Sequence, residues 1–438
     1  MAVSTDIPLT TDIDVIVIGA GLAGLGAAAT LRAGGLSSVV LEASARVGGR
    51  AWTTQPEALG GAWFDHGAAW LHAVTRNPLV PIAEAAGEIL VQSDQLRTER
   101  TFIGGRAASA REAADYGAAW PRFTAAADAL LGEVADAPLA AVAARLPDDP
   151  WAVTVETWEG PIINVADADA FSLRDWRRNV LEGPNLMIQG GIGAFVARHL
   201  APMAGDIRLQ TPVTRIAWQG SDGSVTVTTP RGRLRAQAVI VTVSTGVLAS
   251  GAIAFDPPLP VATQADLHAL PMGLAIKAVF RATGPDRLGL PDHCSLDRQL
   301  DRSGAPMMVF SCWPLGRDFI SGWTGGSHTW ELSRSGPRAI EDFARAELRR
   351  IFGGRADASL VFAFATDWGG DKNIRGAYAY ACPGQVDARR RLGVPLADGQ
   401  LVLAGEATCD DGLAGTLGGA WNSGVRAAQA AAKIIPGR

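Results

Sequence analysis

The protein has 438 residues, which is enough for two or three domains and a large hydrophobic core. With 48% hydrophobic and 19% charged residues, its composition is that of a globular protein rather than a disordered one. The net charge of −5 and the lack of any lysine- or arginine-rich run argue against a nucleic-acid partner.

Cysteine usage and the first residues predict a cytoplasmic protein. The four cysteines form no C-x-x-C pair and lack metal-like spacing; they are Cys294, Cys312, Cys382 and Cys409. We therefore expect reduced thiols and no metal site. Residues 1–11 have neither a positively charged start nor an apolar core, so no secretory signal is expected.

One uncharged stretch, residues 236–255, is about long enough to span a bilayer. Polar residues and glycines interrupt it, including Thr242, Ser244 and Ser250. The pattern therefore predicts a buried strand over residues 238–243, followed by a loop, and no membrane partner.

The most informative stretch begins with four branched apolar residues, 15–18, which are typical of a strand buried on both faces. Gly19, Gly21 and Gly24 follow in a G-x-G-x-x-G pattern, and an alanine-rich helix continues from them. In this pattern the first glycine makes a tight turn, and the second lets backbone approach a pyrophosphate. The third lets the helix pack on the strand, and the helix N-terminus faces the phosphate charge.

The residues after the next strand strengthen this prediction. Residues 39–41 end on Glu42, eighteen residues past Gly24, where a carboxylate accepts the hydroxyls of an adenosine ribose. Arg46 and Arg50 then flank a pair of glycines, and Arg50 is a fork-shaped donor suited to a pyrophosphate. A glycine-rich turn can also be purely structural, but this context favours a dinucleotide site.

The order of the remaining segments predicts a discontinuous domain. Residues 109–145 are helical in pattern and lack strand–helix alternation, whereas short strands return from residue 207. Near the end, residues 415–420 open a second glycine-rich helix, whose positive end suits the electron-rich part of a flavin ring. We predict a dinucleotide-binding domain from residues 1–78, 190–260 and 384–438, and a substrate-binding domain from residues 79–189 and 261–383.

Lys277 is one of only three lysines in the chain, and it lies in an apolar stretch, residues 274–280, that is typical of a strand. Its neighbours on the same strand face, Ala275 and Val279, are apolar, so burial of its ammonium is costly without a partner. Two interpretations remain open: a lysine that snorkels from an edge strand, or a buried lysine at a reactive centre.

Taken together, these segments resemble the flavin amine oxidase family, which includes monoamine oxidases, polyamine oxidases and lysine-specific histone demethylases. The resemblance also covers residues 67–72, 246–248, 255–260, 376–380, 404–406, 415–420 and 423–424. It implies an α/β FAD-binding Rossmann-like domain of the two-dinucleotide-binding kind, which is discontinuous and carries an inserted mixed α+β substrate domain.

The resemblance also implies roles for individual residues. Glu42 would hold the adenosine ribose, Arg50 the pyrophosphate and Glu406 the ribityl chain. The complete implied FAD site is Gly19, Gly21, Gly24, Glu42, Arg46, Gly49, Arg50, Gly67, Ala68, Ala69, Trp70, Val213, Trp368, Gly405, Glu406, Gly415, Thr416 and Leu417. Thr416 and Leu417 would present backbone near the isoalloxazine.

Three residues are implied to be catalytic. Lys277 matches the family lysine that holds a water against flavin N5. His72 matches a histidine of animal polyamine oxidases, and Tyr378 matches one wall of the aromatic pair before the flavin. For His72 the alternative is simple packing beside Trp70.

The chain also departs from the family pattern. Thr416 occupies the position of the second aromatic wall, so the cage is incomplete unless Trp368 or another tryptophan supplies a ring. Ala377 stands where monoamine oxidases attach the flavin through cysteine, so non-covalent FAD is expected. Residues 109–145 are too few for the helical tower of histone demethylases.

The predicted reaction is hydride transfer from the carbon alpha to an amine nitrogen to FAD, followed by imine hydrolysis and reoxidation by O2 to give hydrogen peroxide. The expected substrate is a small-molecule amine, either a polyamine or another aliphatic amine. Four acidic residues either pair with distal ammonium groups or form a solvated face: Glu156, Glu159, Asp167 and Asp169.

Two alternatives remain. One is an L-amino-acid oxidase, which needs an arginine for the substrate carboxylate. The other is a non-catalytic carrier on the same fold, as in GDP-dissociation inhibitors, against which Lys277 and the Arg46–Arg50 loop argue. The sequence leaves the oligomeric state, monomer or homodimer, undetermined.

Overall fold

Two large β-sheets organise the protein, which we describe from a computed structural model covering residues 13–220 and 223–435. The interpretation of residues 1–11 as lacking a secretory signal lies outside these ranges. One sheet has eight strands and the other has seven.

The eight-stranded sheet has a parallel centre. Five parallel strands lie side by side in the order Leu401–Leu403, Gly232–Val241, Ile13–Ile18, Ser38–Leu41 and Asp206–Arg208. The long strand Gly232–Val241 changes partner along one edge, because its first half pairs antiparallel with Val225–Thr229. Strands Arg215–Ala217 and Ala254–Asp256 complete the sheet.

Two helices pack against each other over this sheet, Leu22–Ala33 and Leu417–Ala432. Glycine permits their close approach: a Cβ on Gly424 would lie 1.9 Å from the carbonyl oxygen of Ala23. A Cβ on Gly26 would likewise lie 3.0 Å from the carbonyl oxygen of Trp421. These two helices are therefore in backbone contact, which brings the two glycine-rich turns to the same end of the sheet.

The seven-stranded sheet contains Lys277. Its strands lie in the order Leu360–Ala365, Ala275–Ala282, Phe319–Gly325, Val309–Cys312, Cys294–Arg298, Thr98–Ile103 and Arg106–Ala107. Helix Pro337–Phe352 covers one face with buried Ile340, Ala344 and Leu348. Strand Ala275–Ala282 has neighbours on both edges, so it is not an edge strand.

A helical region packs beside the second sheet. It comprises Ala110–Glu133, Ala140–Ala143, Ala152–Thr157, the π-helical turn Trp158–Ile162 and Leu173–Arg178. Ser109 caps the N-terminus of the long helix and forms a reciprocal capping box with Glu112. The helical pattern predicted over residues 109–145 is therefore observed, with a break between residues 133 and 140.

The remaining elements are short. The other α-helices are Leu79–Ala85, Ser93–Leu96, Ile192–Phe195, Thr245–Ala249, Val261–Ala269, Ser327–Ser335, Arg355–Ser359 and Ala388–Leu392. Three two-stranded pairings also occur: Thr53–Thr54 with Phe64–Asp65, Leu90–Gln92 with Leu186–Ile188, and Met272–Gly273 with Tyr378–Ala379.

The uncharged stretch from residue 236 to 255 is the end of strand Gly232–Val241 and helix Thr245–Ala249. The predicted strand is present, but a short helix replaces the predicted loop because the Ser244 hydroxyl caps it through the Val247 N–H. Within residues 13–220 and 223–435, no helix has the length and apolarity needed to cross a bilayer.

We predict that Gly424→Ala lowers the melting temperature, because the added methyl group overlaps a backbone oxygen of the first helix. Overpacking of this kind costs about 3 kcal/mol. Gly117→Ala is the matched control, since Gly117 lies in the middle of an exposed helix face with no atom of the described residues within 4 Å of an added Cβ. That control should gain about 0.5–1 kcal/mol. Equal melting temperatures for the two variants would contradict the close helix contact.

Candidate active site

The predicted dinucleotide turn has the geometry that each glycine position requires. Gly19 has φ +101°, and a Cβ on Gly24 would lie 1.8 Å from the Gly19 carbonyl oxygen. By contrast, a Cβ on Gly21 would meet no described atom within 4 Å, and no side chain caps the helix that starts there. The helix N-terminus therefore presents its N–H groups to open space, which suits a phosphate.

Glu42 is held beside this turn. Its Oε2 accepts a hydrogen bond from the Ala20 N–H at 2.7 Å, and its Oε1 accepts one from the Ser44 N–H at 2.7 Å. Its backbone carbonyl accepts from the Thr211 N–H, two residues before the buried Val213. The carboxylate is thus fixed, with lone pairs remaining for ribose hydroxyls.

The Arg46–Arg50 loop lies against the same turn. The Gly48 N–H donates to the Ala20 carbonyl at 2.8 Å, and a Cβ on Gly49 would lie 3.4 Å from the Gly21 Cα. The Arg46 guanidinium lies 4.7 Å from the centre of the Trp52 ring and 5.7 Å from that of Trp368. Burial lowers the pKa of Arg46.

Arg50 connects this loop to the far end of the chain. Its Nη1 donates to the Glu406 carboxylate at 2.9 Å and to the Ala377 carbonyl at 2.5 Å. Arg50 and Glu406 border a small cleft that is lined also by Gly405 and Thr245. The Thr245 hydroxyl is buried and has no hydrogen-bond partner among the described residues.

The residues at this end of the sheet fit FAD. The open space before Gly21, the uncapped helix N-terminus and the orphaned Thr245 hydroxyl all favour a polar ligand that supplies phosphate and hydrogen-bonding groups. Glu42 would hold its ribose, Arg46 and Arg50 its phosphates, and Glu406 its ribityl chain.

The segment from Gly67 to Trp70 continues this surface. A Cβ on Gly67 would lie 1.9 Å from the Arg50 carbonyl oxygen, and the Ala68 N–H donates to that oxygen at 3.2 Å. Trp368 is buried with its ring edge against Gly67, and its indole N–H donates to the His66 carbonyl at 3.2 Å. Ala69 is buried, and Trp70 is half-buried.

Lys277 joins the seven-stranded sheet to the segment that packs on Arg50. Its side chain is buried, and its Nζ donates to the Asp65 carbonyl at 2.7 Å and to the Gly67 carbonyl at 2.6 Å. Burial lowers the pKa of Lys277 to about 8, although the nearby Asp65 carboxylate raises it. The snorkelling interpretation is therefore wrong, because the ammonium is buried and its strand is paired on both edges.

Trp323 is an aromatic neighbour of this centre that the sequence analysis did not name. It is the cross-strand partner of Lys277, and its ring centre lies 5.7 Å from the lysine Nζ. Trp323 and Tyr378 pack against the same small cluster of Val165, Ala275 and Ala377. Trp323 could have been identified from the sequence only by predicting that its strand pairs with strand 275–282.

Tyr378 is held from two sides. Its hydroxyl donates to the Ile163 carbonyl at 2.5 Å, and a Cβ on Gly415 would lie 3.2 Å from its ring. Burial raises the pKa of Tyr378.

Thr416 caps helix Leu417–Ala432, because its hydroxyl accepts a hydrogen bond from the Gly419 N–H. Thr416 therefore supplies no second aromatic wall.

His72 belongs to a polar chain that the sequence did not reveal. Its Nδ1 lies 2.6 Å from the Asn185 Oδ1, while Asn185 donates to the Asp94 carboxylate through its side-chain amide at 3.0 Å and its backbone N–H at 2.7 Å. Burial lowers the pKa of His72. The Trp70 ring lies 6.3 Å away at a tilt, so His72 does more than stack beside it.

The four acidic residues divide into two kinds. Glu156 is buried and accepts from the Ser303 hydroxyl, and Glu159 is half-buried and accepts from the Trp176 indole N–H at 2.8 Å. Burial raises the pKa of Glu159 to about 7. Asp167 is half-buried and Asp169 is exposed, so only part of this set forms a solvated face.

His66 is a second residue that the sequence analysis missed. Its ring stacks between Trp52 at 4.1 Å and Phe364 at 5.5 Å, and Thr54 Oγ1 lies 2.7 Å from its Nε2. Burial, together with the charges of Lys277 and Arg46, lowers its pKa to about 4. The ring is therefore neutral at physiological pH and does not repel Lys277.

We predict that this stack makes the protein sensitive to acid. His66 in the unfolded chain takes up a proton as the pH falls through about 6.5, whereas the folded protein resists that proton until about pH 4. The free energy of unfolding therefore decreases over this interval, and His66→Leu should show a smaller decrease because it cannot take up the proton. Denaturant unfolding at pH 7.5 and 5 measures this difference; exposed His268→Leu is the control. Identical pH dependence in His66→Leu and wild type would contradict the prediction.

Comparison with known proteins agrees with this geometry. The family model described as flavin containing amine oxidoreductase matches residues 22–432. Polyamine oxidase 2 of Arabidopsis thaliana is 29% identical over 456 residues, covering 95% of this chain and 87% of that protein. Lysine-specific histone demethylase 2 of Homo sapiens is 25% identical, covering 94% of this chain and 53% of that protein.

Among solved structures, wild-type putrescine oxidase bound to putrescine is similar in fold. The TM-score is 0.78 at 20% sequence identity, with 96% of this chain and 99% of that chain covered. Because the family model spans nearly the whole chain, the protein belongs to the flavin-containing amine oxidoreductases.

Proposed function

We propose that the protein oxidises polyamines or other aliphatic amines with non-covalently bound FAD and O2. FAD held by Glu42, Arg46, Arg50 and Glu406 would supply the acceptor for a hydride from the carbon alpha to the amine nitrogen, and O2 would then take up the two electrons with two protons to give hydrogen peroxide. The resulting imine is hydrolysed. The similarity to polyamine oxidases and the fold shared with putrescine oxidase support this substrate class.

The observation that carries the proposal is the buried ammonium of Lys277. Within the described residues it donates two hydrogen bonds, both to carbonyls of the segment that packs on Arg50. An ammonium has three donors, so one remains for a water or for oxygen. A fixed positive charge in a dry site stabilises developing negative charge far better than it does in water.

His72 is suited to hold the amine. Because the Asn185 amide nitrogen donates to Asp94, its oxygen is the atom that faces His72. This arrangement places the imidazole proton on Nδ1 and leaves the lone pair of Nε2 available as an acceptor. With its pKa lowered by burial, the ring is neutral and can accept a hydrogen bond or a proton from the amine.

Glu159 favours a substrate with a second positive charge. It lies in the π-helical turn that leads to Ile163, whose carbonyl accepts the Tyr378 hydroxyl. Its carboxyl group is half-buried, and within the described residues Trp176 supplies its side-chain hydrogen bond. A distal ammonium of a polyamine would stabilise its charged form.

The two sheets support the proposed domain division. The eight-stranded sheet draws its strands from residues 13–41, 206–256 and 401–403, within the proposed FAD-binding segments 1–78, 190–260 and 384–438. The seven-stranded sheet draws its strands from residues 98–107 and 275–365, within the proposed substrate-binding segments 79–189 and 261–383.

Two further parts of the proposal concern attachment and location. Ala377 is buried at the position expected for an attachment cysteine, so no thiol is available there for a bond to the flavin. All four cysteines are free thiols, which supports a reducing compartment such as the cytoplasm.

We predict that spermine, spermidine and their acetylated forms, or other aliphatic amines, reduce the bound flavin faster than benzylamine. The physical reason is that Thr416 leaves the aromatic cage open and Glu159 offers a negative charge. Anaerobic bleaching of the flavin absorbance by a panel of amines and L-amino acids measures this directly.

The panel also separates the alternatives. Faster bleaching by benzylamine would contradict the substrate preference, and bleaching by amino acids alone would favour an amino-acid oxidase. A protein that stays colourless with added FAD would favour a carrier.

We predict that Lys277→Met preserves reduction by amine but slows the reaction of the reduced enzyme with O2 by about a hundredfold. The variant should also lose stability, because the Asp65 and Gly67 carbonyls lose a buried donor, at about 1–3 kcal/mol each. Lys372→Met, at an exposed lysine, is the control. Stopped-flow measurement of the two half-reactions decides the outcome: wild-type rates in both would leave Lys277 without a chemical role.

A further inference from the structure

The short segment Ala377–Ala381, which carries Tyr378, has a normal strand partner on one edge only. It pairs antiparallel with Met272–Gly273, and the Ala377 N–H donates to the Gly273 carbonyl at 2.7 Å. In the described ranges this pairing has no third strand. The other edge of the segment must therefore satisfy its backbone groups in another way.

Charged side chains take the place of the missing strand. Two carbonyls of the free edge accept from arginines: Ala377 from Arg50 Nη1 at 2.5 Å, and Ala379 from Arg389 Nη2 at 3.0 Å. Two N–H groups donate to carboxylates: Ala379 to Glu406 Oε1 and Ala381 to Asp175 Oδ2, both at 3.1 Å. We call these four side chains, Arg50, Glu406, Arg389 and Asp175, the charge ladder.

The ladder consists of two ion pairs. Arg50 and Glu406 belong to the proposed FAD site, but Arg389 and Asp175 do not. The latter pair is bidentate, with Nε to Oδ1 at 2.8 Å and Nη2 to Oδ2 at 2.7 Å, and the two side chains are only 4% and 2% exposed. Arg389 also donates to the Ala407 carbonyl at 3.3 Å, next to Glu406.

A buried ion pair is by itself weak evidence for a stabilising role. Removing two charges from water is costly, and well-packed apolar residues are often as stabilising as a buried ion pair. An ion pair differs in that its fork geometry fixes both partners and the backbone groups they bind. The structure therefore favours a role in geometry.

The same network reaches the other side of Tyr378. Asp175 Oδ1 accepts from the Asn179 side-chain amide at 3.0 Å, and Asn179 Oδ1 accepts from the Ala414 N–H at 3.1 Å. Ala414 precedes Gly415, which lies against the Tyr378 ring: a Cβ added to Gly415 would be 3.2 Å from it. Asp175 thus holds both the backbone of the tyrosine segment and the loop against its ring.

We infer that Asp175 and Arg389 are positioning residues that set the place of Tyr378 in the reaction site. The inference rests on the proposed function, because it assumes that Tyr378 faces the amine. It extends that function to a buried ion pair contributed by helices Leu173–Arg178 and Ala388–Leu392.

The test replaces the pair by apolar residues. Asp175→Leu or Arg389→Met alone leaves a buried unpaired charge and should destabilise the protein, whereas the double variant removes both charges and should fold. We expect the double variant to bind FAD with a Kd within about twofold of wild type, because Arg50 and Glu406 remain. Its anaerobic reduction by the best amine should slow by about 10- to 100-fold, the effect of a displacement of about 1 Å. If the apolar pair does not fold, Asp175→Asn with Arg389→Gln replaces it.

Two controls separate positioning from a merely structural role. Arg298→Met with Glu347→Leu removes another ion pair, between a strand of the seven-stranded sheet and helix Pro337–Phe352, in which Glu347 is buried and Arg298 is partly exposed. This control should leave the reduction rate unchanged. In a Tyr378→Ala background the Asp175/Arg389 double variant should cause no further loss of rate. A stable double variant that is reduced at the wild-type rate, or an equal loss in the Tyr378→Ala background, overturns the inference.

A measurement without substrate keeps this inference separate from the proposed function. Amide hydrogen exchange at Ala381, whose N–H loses its Asp175 acceptor, should be at least about tenfold faster in the double variant, while exchange in strand Ile13–Ile18 stays unchanged. If no amine bleaches the wild-type flavin, the proposed function fails. If exchange at Ala381 does not change, the positioning role fails whatever the substrate.

Discussion

The structure depends on one buried charge, the ammonium of Lys277. It extends from strand Ala275–Ala282 of the seven-stranded sheet to the carbonyls of Asp65 and Gly67, in the segment that packs on Arg50. A buried ammonium is costly unless oxygen atoms accept its hydrogen bonds, and a buried carbonyl is costly unless a donor reaches it. Lys277 of the seven-stranded sheet and the carbonyls of residues 65 and 67 therefore satisfy each other, and this mutual requirement brings the segment that contacts Arg50 to the lysine.

Much of this could be predicted from local patterns. The Gly19–Gly24 turn, Glu42 and the Arg46–Arg50 loop are contiguous motifs, and each carries its own physical reason, such as the backbone contact at Gly24. Lys277 could be recognised because it is rare and lies among apolar residues. The predicted membership in the flavin amine oxidase family and the predicted oxidoreductase activity are confirmed by the family model.

The remaining features depend on contacts between distant segments. Asn185 and Asp94 orient His72 from more than 20 residues away, and Trp323 meets Lys277 only through strand register. His66 looks like an ordinary polar residue until Trp52 and Phe364 enclose it. Sequence periodicity does not encode such pairings, because they arise from the packing of separate sheets. The assignment of individual site residues and of domain limits stays a prediction.

The protonation state of the cysteines affects how readily the protein is oxidised by peroxide. Peroxide attacks the thiolate, not the thiol, and the proposed reaction releases peroxide inside the molecule. Burial raises the pKa of Cys294 to about 11 and of Cys409 to about 12, and raises that of Cys312 well above its usual range. At neutral pH these three sulfurs therefore stay protonated, the form that reacts slowly with peroxide, whereas Cys382 is partly exposed.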